Sequence, residues 1–438
     1  MSTLAAKLDS IAAVVGDSQL ITDTEAVAQY RVDGQQPLGV VSPATEEEVA
    51  AVLGAAREAG FTVLLRGAGR DLHLGSAPGP IGLVLSLARL DSIVEYDADN
   101  LTITAQAGVT LEKLQSIVGE RRQFLPLDPP SGDAATLGGI AAGNRSGSLR
   151  MTYGAPRDLV IGSRVALANG SLVKTGGKTV KNVAGYEVGK LFIGSLGTLG
   201  AIVELTVRLV PKPEARALLA TSLPLSEAAS VAAQLLASRF EINSLAIANR
   251  AAAQQIGRAL PLTDEPDKHV LLVGLAGMNE AIDRQERETR ALLRNGLARV
   301  DGAGVGEVWD RVRGLAYPAK FDATLLRVNL PIAQVQAMLD LVSSRQGWSA
   351  LGHVGDGVVY ASPPPDLDPM EARTHLEGIR ELAEQLGGFA ILESGPVDLK
   401  RQFPVWGENI PNIDLMRELK QSYDPTDTLG CGRFVLGK

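Results

Sequence analysis

Between residues 45 and 65 the chain reads TEEEVAAVLGAAREAGFTVLL. Val49, Leu53 and Ala56 recur at spacings of three and four, which puts them on one face of a helix. Thr45 followed three residues later by Glu48 is a capping box, and Gly60 is a stop signal. The apolar run 61–65 then predicts a buried strand that leads straight into a glycine loop. Further strands are predicted at 82–87, 92–96 and 101–106, with Asp97-Ala98-Asp99-Asn100 as the turn before the last. Thr110 caps a helix running to about Val118.

Val210-Pro211-Lys212-Pro213 breaks the pattern. Prolines two apart hold the backbone extended, which suits a domain boundary. Beyond it strands and helices alternate: strands at 218–222, 244–248, 270–275, 324–330, 358–361 and 389–392, helices at 226–237, 279–295, 332–344 and 370–386. This order predicts an α+β domain with helices on one face of an antiparallel sheet. No repeat at fixed period is visible, and 424–434 reads as a glycine-rich loop in which a chain end frays.

A length of 438 residues is enough for two or three domains. A net charge of -8 without a long Lys/Arg run argues against nucleic-acid binding. Cys431 is the only cysteine, so an internal disulfide, a structural zinc site and an iron–sulfur cluster are all excluded. No apolar run reaches the ~18 residues of a membrane span. The N-terminus lacks the basic flank and unbroken apolar stretch of a signal peptide, so a cytoplasmic location is expected.

Three segments carry candidate chemistry: Arg66-Gly67-Ala68-Gly69-Arg70-Asp71, the run 126–147 (PLDPPSGDAATLGGIAAGNRSG), and 194–202 (GSLGTLGAI). Glycine has no Cβ and tolerates positive φ, so successive amides can converge on phosphate oxygens. Thr136, Asn144 and Ser146 offer side-chain hydrogen bonds at the same surface. Neither a Walker A spacing nor a G-x-G-x-x-G Rossmann fingerprint is present.

In order, PATEEEV, RGAG, TAQAGV, the run 126–147 and KNVAGYEVGKLFIGSLGTLGAI resemble the FAD-binding domain of the vanillyl-alcohol-oxidase/p-cresol-methylhydroxylase (PCMH) superfamily. Within it the chain is most similar to FAD-linked 2-hydroxy acid dehydrogenases, above all to the smaller flavin (E) subunit of bacterial glycolate oxidase. The likeness is strong over 40–210 and weak over the tail SYDPTDTLGCGRF. It implies a two-domain α+β protein: a PCMH-type FAD-binding domain at 1–212, a smaller ferredoxin-like α+β cap at 213–405, and a segment 406–438 returning to the flavin. It also implies that Arg66, Gly67, Ala68, Gly69, Arg70 and Asp71 hold the FAD pyrophosphate. Pro129, Ala135, Thr136, Gly138, Gly139, Gly143, Asn144, Ser146 and Gly147 would line the pyrophosphate and ribityl side. Gly200 and Ile202 would meet the adenine or ribose, and Arg433 would place a cation near the flavin.

Relatives with covalent flavin carry histidine where this chain has Arg70, so noncovalent FAD is implied. Metal-dependent relatives carry His-x-Gly-Asp-Gly-Asn-x-His and a later Glu-His-Gly. Here the stretches are His353-Val354-Gly355-Asp356-Gly357-Val358-Val359-Tyr360 and Glu393-Ser394-Gly395. Tyr360 and Ser394 replace the paired histidines, and two remaining ligands make a poor divalent site. No metal site and no catalytic residue are therefore assigned. The resemblance implies the FAD subunit of a glycolate oxidase complex that oxidises a 2-hydroxy acid. Its role there would be electron transfer or structure, beside a larger catalytic flavin subunit and an iron–sulfur subunit, with any membrane association through those partners. A stand-alone FAD dehydrogenase and a non-catalytic flavin-stabilised scaffold are the alternatives.

Overall fold

The Thr45 hydroxyl accepts the Glu48 amide at 3.1 Å, and the Glu48 carboxylate accepts the Ala44 amide at 2.6 Å. The helix they start, Glu46–Ala59, ends at Gly60 in the left-handed region. Val49, Leu53 and Ala56 on its inner face are fully buried against Val63, Leu83 and Leu85, each large apolar side chain contributing about 1.5–3 kcal/mol. Those contacts come from a computed structural model that describes residues 3–177, 187–257, 260, 267–293 and 296–435. Residues 181–186 of the last sequence motif lie outside the described residues.

The chain divides into two units, Met1–Arg145 with Ala155–Pro211 and Asn409–Lys438, and Ser146–Gly154 with Lys212–Glu408. In the first unit the strand Val63–Arg66 lies parallel to Leu83–Ser86, which lies parallel to Gly39–Val41; Leu20–Ile21 closes the edge antiparallel. A second sheet is antiparallel throughout, in the order Ile93–Asp97, Thr102–Gln106, Ala201–Arg208, Val160–Ala166, Leu172–Gly176. Its inner face carries Ile103, Leu205 and Val165 onto the helices Leu111–Gly119 and Leu137–Gly143. The tail does not fray. Val63 donates to the Thr428 carbonyl and Gly430 donates to Val63, so the segment around Leu429 continues the parallel sheet.

The second unit is one eight-stranded antiparallel sheet. Its first half runs Ala215–Pro224, helix Leu225–Ala237, Ile242–Ala248, Lys268–Gly277, helix Asn279–Leu292, Ala298–Asp301. The second half repeats that order with Leu325–Asn329, helix Val335–Ser343, Ser349–His353, Val358–Ser362, helix Pro369–Gln385, Phe389–Ser394. Within each half the strands lie fourth, first, third, second, and the two second strands pair at the centre. Each half is thus a ferredoxin-like β-α-β-β-α-β unit.

The expectation of helices on one face is corrected here. Leu219, Leu245 and Val273 point to the four helices of the two halves. Their neighbours Leu218, Ala220, Ala246 and Leu272 instead pack under two further helices, Arg250–Ile256 and Ala303–Leu315, on the opposite face. Residues 303–315 contain three glycines, which lower helix propensity and hide the element from the sequence pattern.

Candidate cofactor site

The loop after the strand Val63–Arg66 bends over the start of the helix Leu137–Gly143. Thr136 caps that helix, its hydroxyl accepting the Gly139 amide at 3.3 Å. A Cβ on Gly67 would fall 2.1 Å from the Thr136 hydroxyl oxygen, so only glycine lets the loop backbone lie there. Gly69 has φ +76, the left-handed region that glycine adopts without penalty. Among the described residues, the Gly67, Ala68 and Gly69 amides donate to no protein group.

Around those amides the first unit forms a recess lined by Arg66 to Leu72, Ala135, Thr136, Gly139, Ala142, Gly143, Leu196 and Arg433. Of the residues singled out from the sequence, the six of the loop, Ala135, Thr136, Gly139, Gly143 and Arg433 are brought together. Arg70 Nε donates to the Ser131 carbonyl at 3.0 Å, tying the first glycine segment to the second. Asp71 faces the Arg145 guanidinium at 3.5 Å. Arg66 stacks 4.5 Å from the centre of the Tyr30 ring. Arg433 is buried and donates to the carbonyls of Leu72 (2.6 Å) and Leu74. Burial pushes its guanidinium below the usual range, with the Asp33 carboxylate opposing that shift.

Other predicted residues lie elsewhere. Gly138 faces Ala107, where a Cβ would meet that methyl at 2.7 Å. Gly200 packs on Val165 and Phe192, and Ile202 is in the apolar core. Pro129 is buried and accepts the Gly132 amide. Asn144 closes the helix in the left-handed region and accepts the Arg157 amide at 3.3 Å. Ser146 and Gly147 belong to the second unit's segment 146–154. Leu196 was missed, because an apolar side chain gives no chemical signal. Its φ of +53 marks it, since a left-handed leucine costs of order 1–3 kcal/mol. Its amide donates to Ala142, which brings the third glycine segment to the recess.

The face of the second unit's sheet that is turned away from its four repeat helices carries a polar row. Arg327 pairs across strands with Tyr360, and its Nε lies 3.1 Å from the buried Glu393 carboxylate. Glu393 is thus engaged by a guanidinium. The His353 ring meets Tyr360 edge-on at 6.0 Å, and Ser394 donates to the Phe321 carbonyl at 2.9 Å. Burial raises the Asp356 carboxyl above its ordinary 3.8, with His353 and Arg150 partly offsetting the rise. The folded protein therefore holds that proton more tightly than the unfolded chain. Its stabilising contribution is present below the ordinary value and is lost as pH rises through the raised one. Asp356→Asn, a neutral isostere, is expected to melt higher than wild type at about pH 7, with the gap narrowing towards about pH 4. Melting curves at several pH values check this, and a gap that widens on acidification contradicts it.

Glycine segments and cations around three amides that donate to no protein group among the described residues form a cradle suited to a pyrophosphate. Residues 37–176 match the FAD binding domain family, and residues 212–433 match the FAD linked oxidases, C-terminal domain. Glycolate oxidase subunit GlcD of Bacillus subtilis is 30% identical over 95% of this chain and 92% of its own length. D-lactate dehydrogenase of Archaeoglobus fulgidus is also 30% identical, over 93% and 95%. A substrate-bound p-cresol methylhydroxylase structure superposes with TM-score 0.74 at 16% identity, covering 96% of this chain and 95% of that one. The chain belongs to the FAD linked oxidase family and is an FAD-dependent oxidoreductase. No described helix is long and apolar enough to cross a membrane.

Proposed function

We propose that this chain is the smaller FAD-binding subunit of a glycolate oxidase assembly that converts a 2-hydroxy acid to a 2-oxo acid. In it the chain serves electron transfer or structure, while a larger flavin subunit carries the main substrate site and an iron–sulfur subunit takes the electrons. The FAD, bound noncovalently, supplies hydride acceptance; the chain supplies binding and orientation. Arg66 to Asp71, Ala135, Thr136, Gly139, Gly143 and Arg433 hold it, with Pro129, Gly138, Asn144, Gly200 and Ile202 shaping the first unit around it.

The observation that carries the subunit reading is the second unit's polar row. Tyr360 and Ser394 stand where metal-dependent relatives of the resembled family place histidines. The chain has four histidines in all. His269 bonds Ser343 at 3.0 Å, His375 packs edge-on to Trp348, and His73 lies in the first unit. The likeness to the Archaeoglobus D-lactate dehydrogenase favours a second reading, a stand-alone FAD-linked 2-hydroxy acid dehydrogenase. Affinity purification of the native protein separates the two. Recovery of a larger flavin chain and a cysteine-rich chain is expected, and recovery of this chain alone would favour the second reading.

A further inference from the structure

The structure points to a use for the tail that rests on the FAD cradle described above. We propose that Lys420 and Asp424 are positioning residues for the cofactor, forming a clasp that holds the cradle loop at both ends. Asp424 lies at the end of the helix Ile413–Tyr423, and its side chain is fully buried. Its carboxylate accepts the amides of Thr428 (3.0 Å) and Leu429 (2.7 Å) and the Lys420 ammonium (2.6 Å). Lys420 spends its other two protons on the carbonyls of Thr198 and Leu429, each at 3.0 Å.

Each of those partners leads to the recess. Thr198 follows Leu196 by two residues in the third glycine segment, and Leu196 lines the recess. Leu429 bridges Val63, the first residue of the strand that ends in Arg66. Four residues further along the tail, Arg433 grips the Leu72 and Leu74 carbonyls beyond the loop, and its own carbonyl accepts the Ser76 amide at 2.9 Å. The tail thus holds the chain just before Arg66 and just after Asp71, and one ion pair fixes the register of that hold. Removing Lys420 leaves the fully buried Asp424 carboxylate without its counter-ion, which is costly, whereas Lys420 also has Asp427 at 3.2 Å.

Lys420→Met is expected to bind FAD at least about tenfold more weakly than wild type. Apo-protein is titrated with FAD, followed by quenching of flavin fluorescence, and the apo melting temperature is recorded alongside. Leu114→Ala is the control, because Leu114 is fully buried in the first unit's core outside the recess and the clasp. It should lower apo stability while keeping FAD affinity within about threefold of wild type. Asp424→Asn replaces Lys420→Met if the latter does not fold. Wild-type affinity in the clasp variant overturns the proposal, and so does an equal affinity loss in Leu114→Ala. Failure of wild-type apo-protein to take up FAD would instead overturn the cradle.

Discussion

The Gly139→Glu protein is expected to purify folded but without flavin. Gly139 lines the recess one turn into the helix capped by Thr136. A Cβ there meets only the Thr136 hydroxyl, at 3.1 Å, and the backbone is not in the left-handed region. Gly139→Ala therefore needs a shift of a few tenths of an ångström and keeps its FAD. A glutamate adds a charge as well as bulk. Its carboxylate would stand beside the amides of the RGAG loop and repel a pyrophosphate by about 1–4 kcal/mol per charge pair at ~4 Å, before any steric term. The ratio of flavin to protein absorbance in the purified variants reads the effect. Normal FAD content in Gly139→Glu, with wild-type folding by circular dichroism, would mean that the phosphates sit elsewhere.

The isolated chain is expected to carry FAD yet to be reduced only slowly by glycolate or D-lactate. Oxidation of a 2-hydroxy acid needs its hydroxyl proton removed as the hydride leaves, and a positioned general base contributes roughly 10²–10⁴ in rate. Tyrosine, with an ordinary pKa of ~10, is a weak base at neutral pH. Tyr360 is moreover buried against His353. Ser394 has its proton committed to the Phe321 carbonyl, and serine needs a partner base to act. The Glu393 carboxylate is engaged by the Arg327 guanidinium at 3.1 Å, which disfavours its taking a proton. Slow bleaching of the flavin is the expected result, and rapid bleaching would show that another group in the second unit takes the proton.

What the sequence made legible follows the reach of each signal. The capping box at Thr45 and the stop at Gly60 are local, so the helix Glu46–Ala59 was placed to within a residue. The loop of residues 66–71 and Thr136 were readable because a glycine loop after a strand and a threonine before a helix are punctuation marks. Their meeting across about 70 residues of chain is tertiary, and only the 2.1 Å approach of a Gly67 Cβ to Thr136 reveals it. Gly138 and Gly139 are adjacent and looked alike. The helix turns one towards Ala107 and the other into the recess.

Only the fraying expectation for the tail failed, for a related reason; the resemblance had that segment return to the flavin. Residues 424–434 have the composition of a fraying end, but Arg433 and the backbone of Leu429 find partners hundreds of residues away. In the second unit the two ferredoxin-like halves share a fold without a repeating sequence. The helices Arg250–Ile256 and Ala303–Leu315 were overlooked, one for its shortness and one for its glycines.

On the proposed reading the chain holds FAD for 2-hydroxy acid oxidation but relies on its assembly for substrate activation. Anaerobic rapid mixing with glycolate, run on the native assembly and on the isolated FAD-loaded chain, tests it most directly. Flavin reduction in the assembly at least roughly a hundredfold faster than in the isolated chain is the predicted result. Equal rates in the two preparations would contradict it.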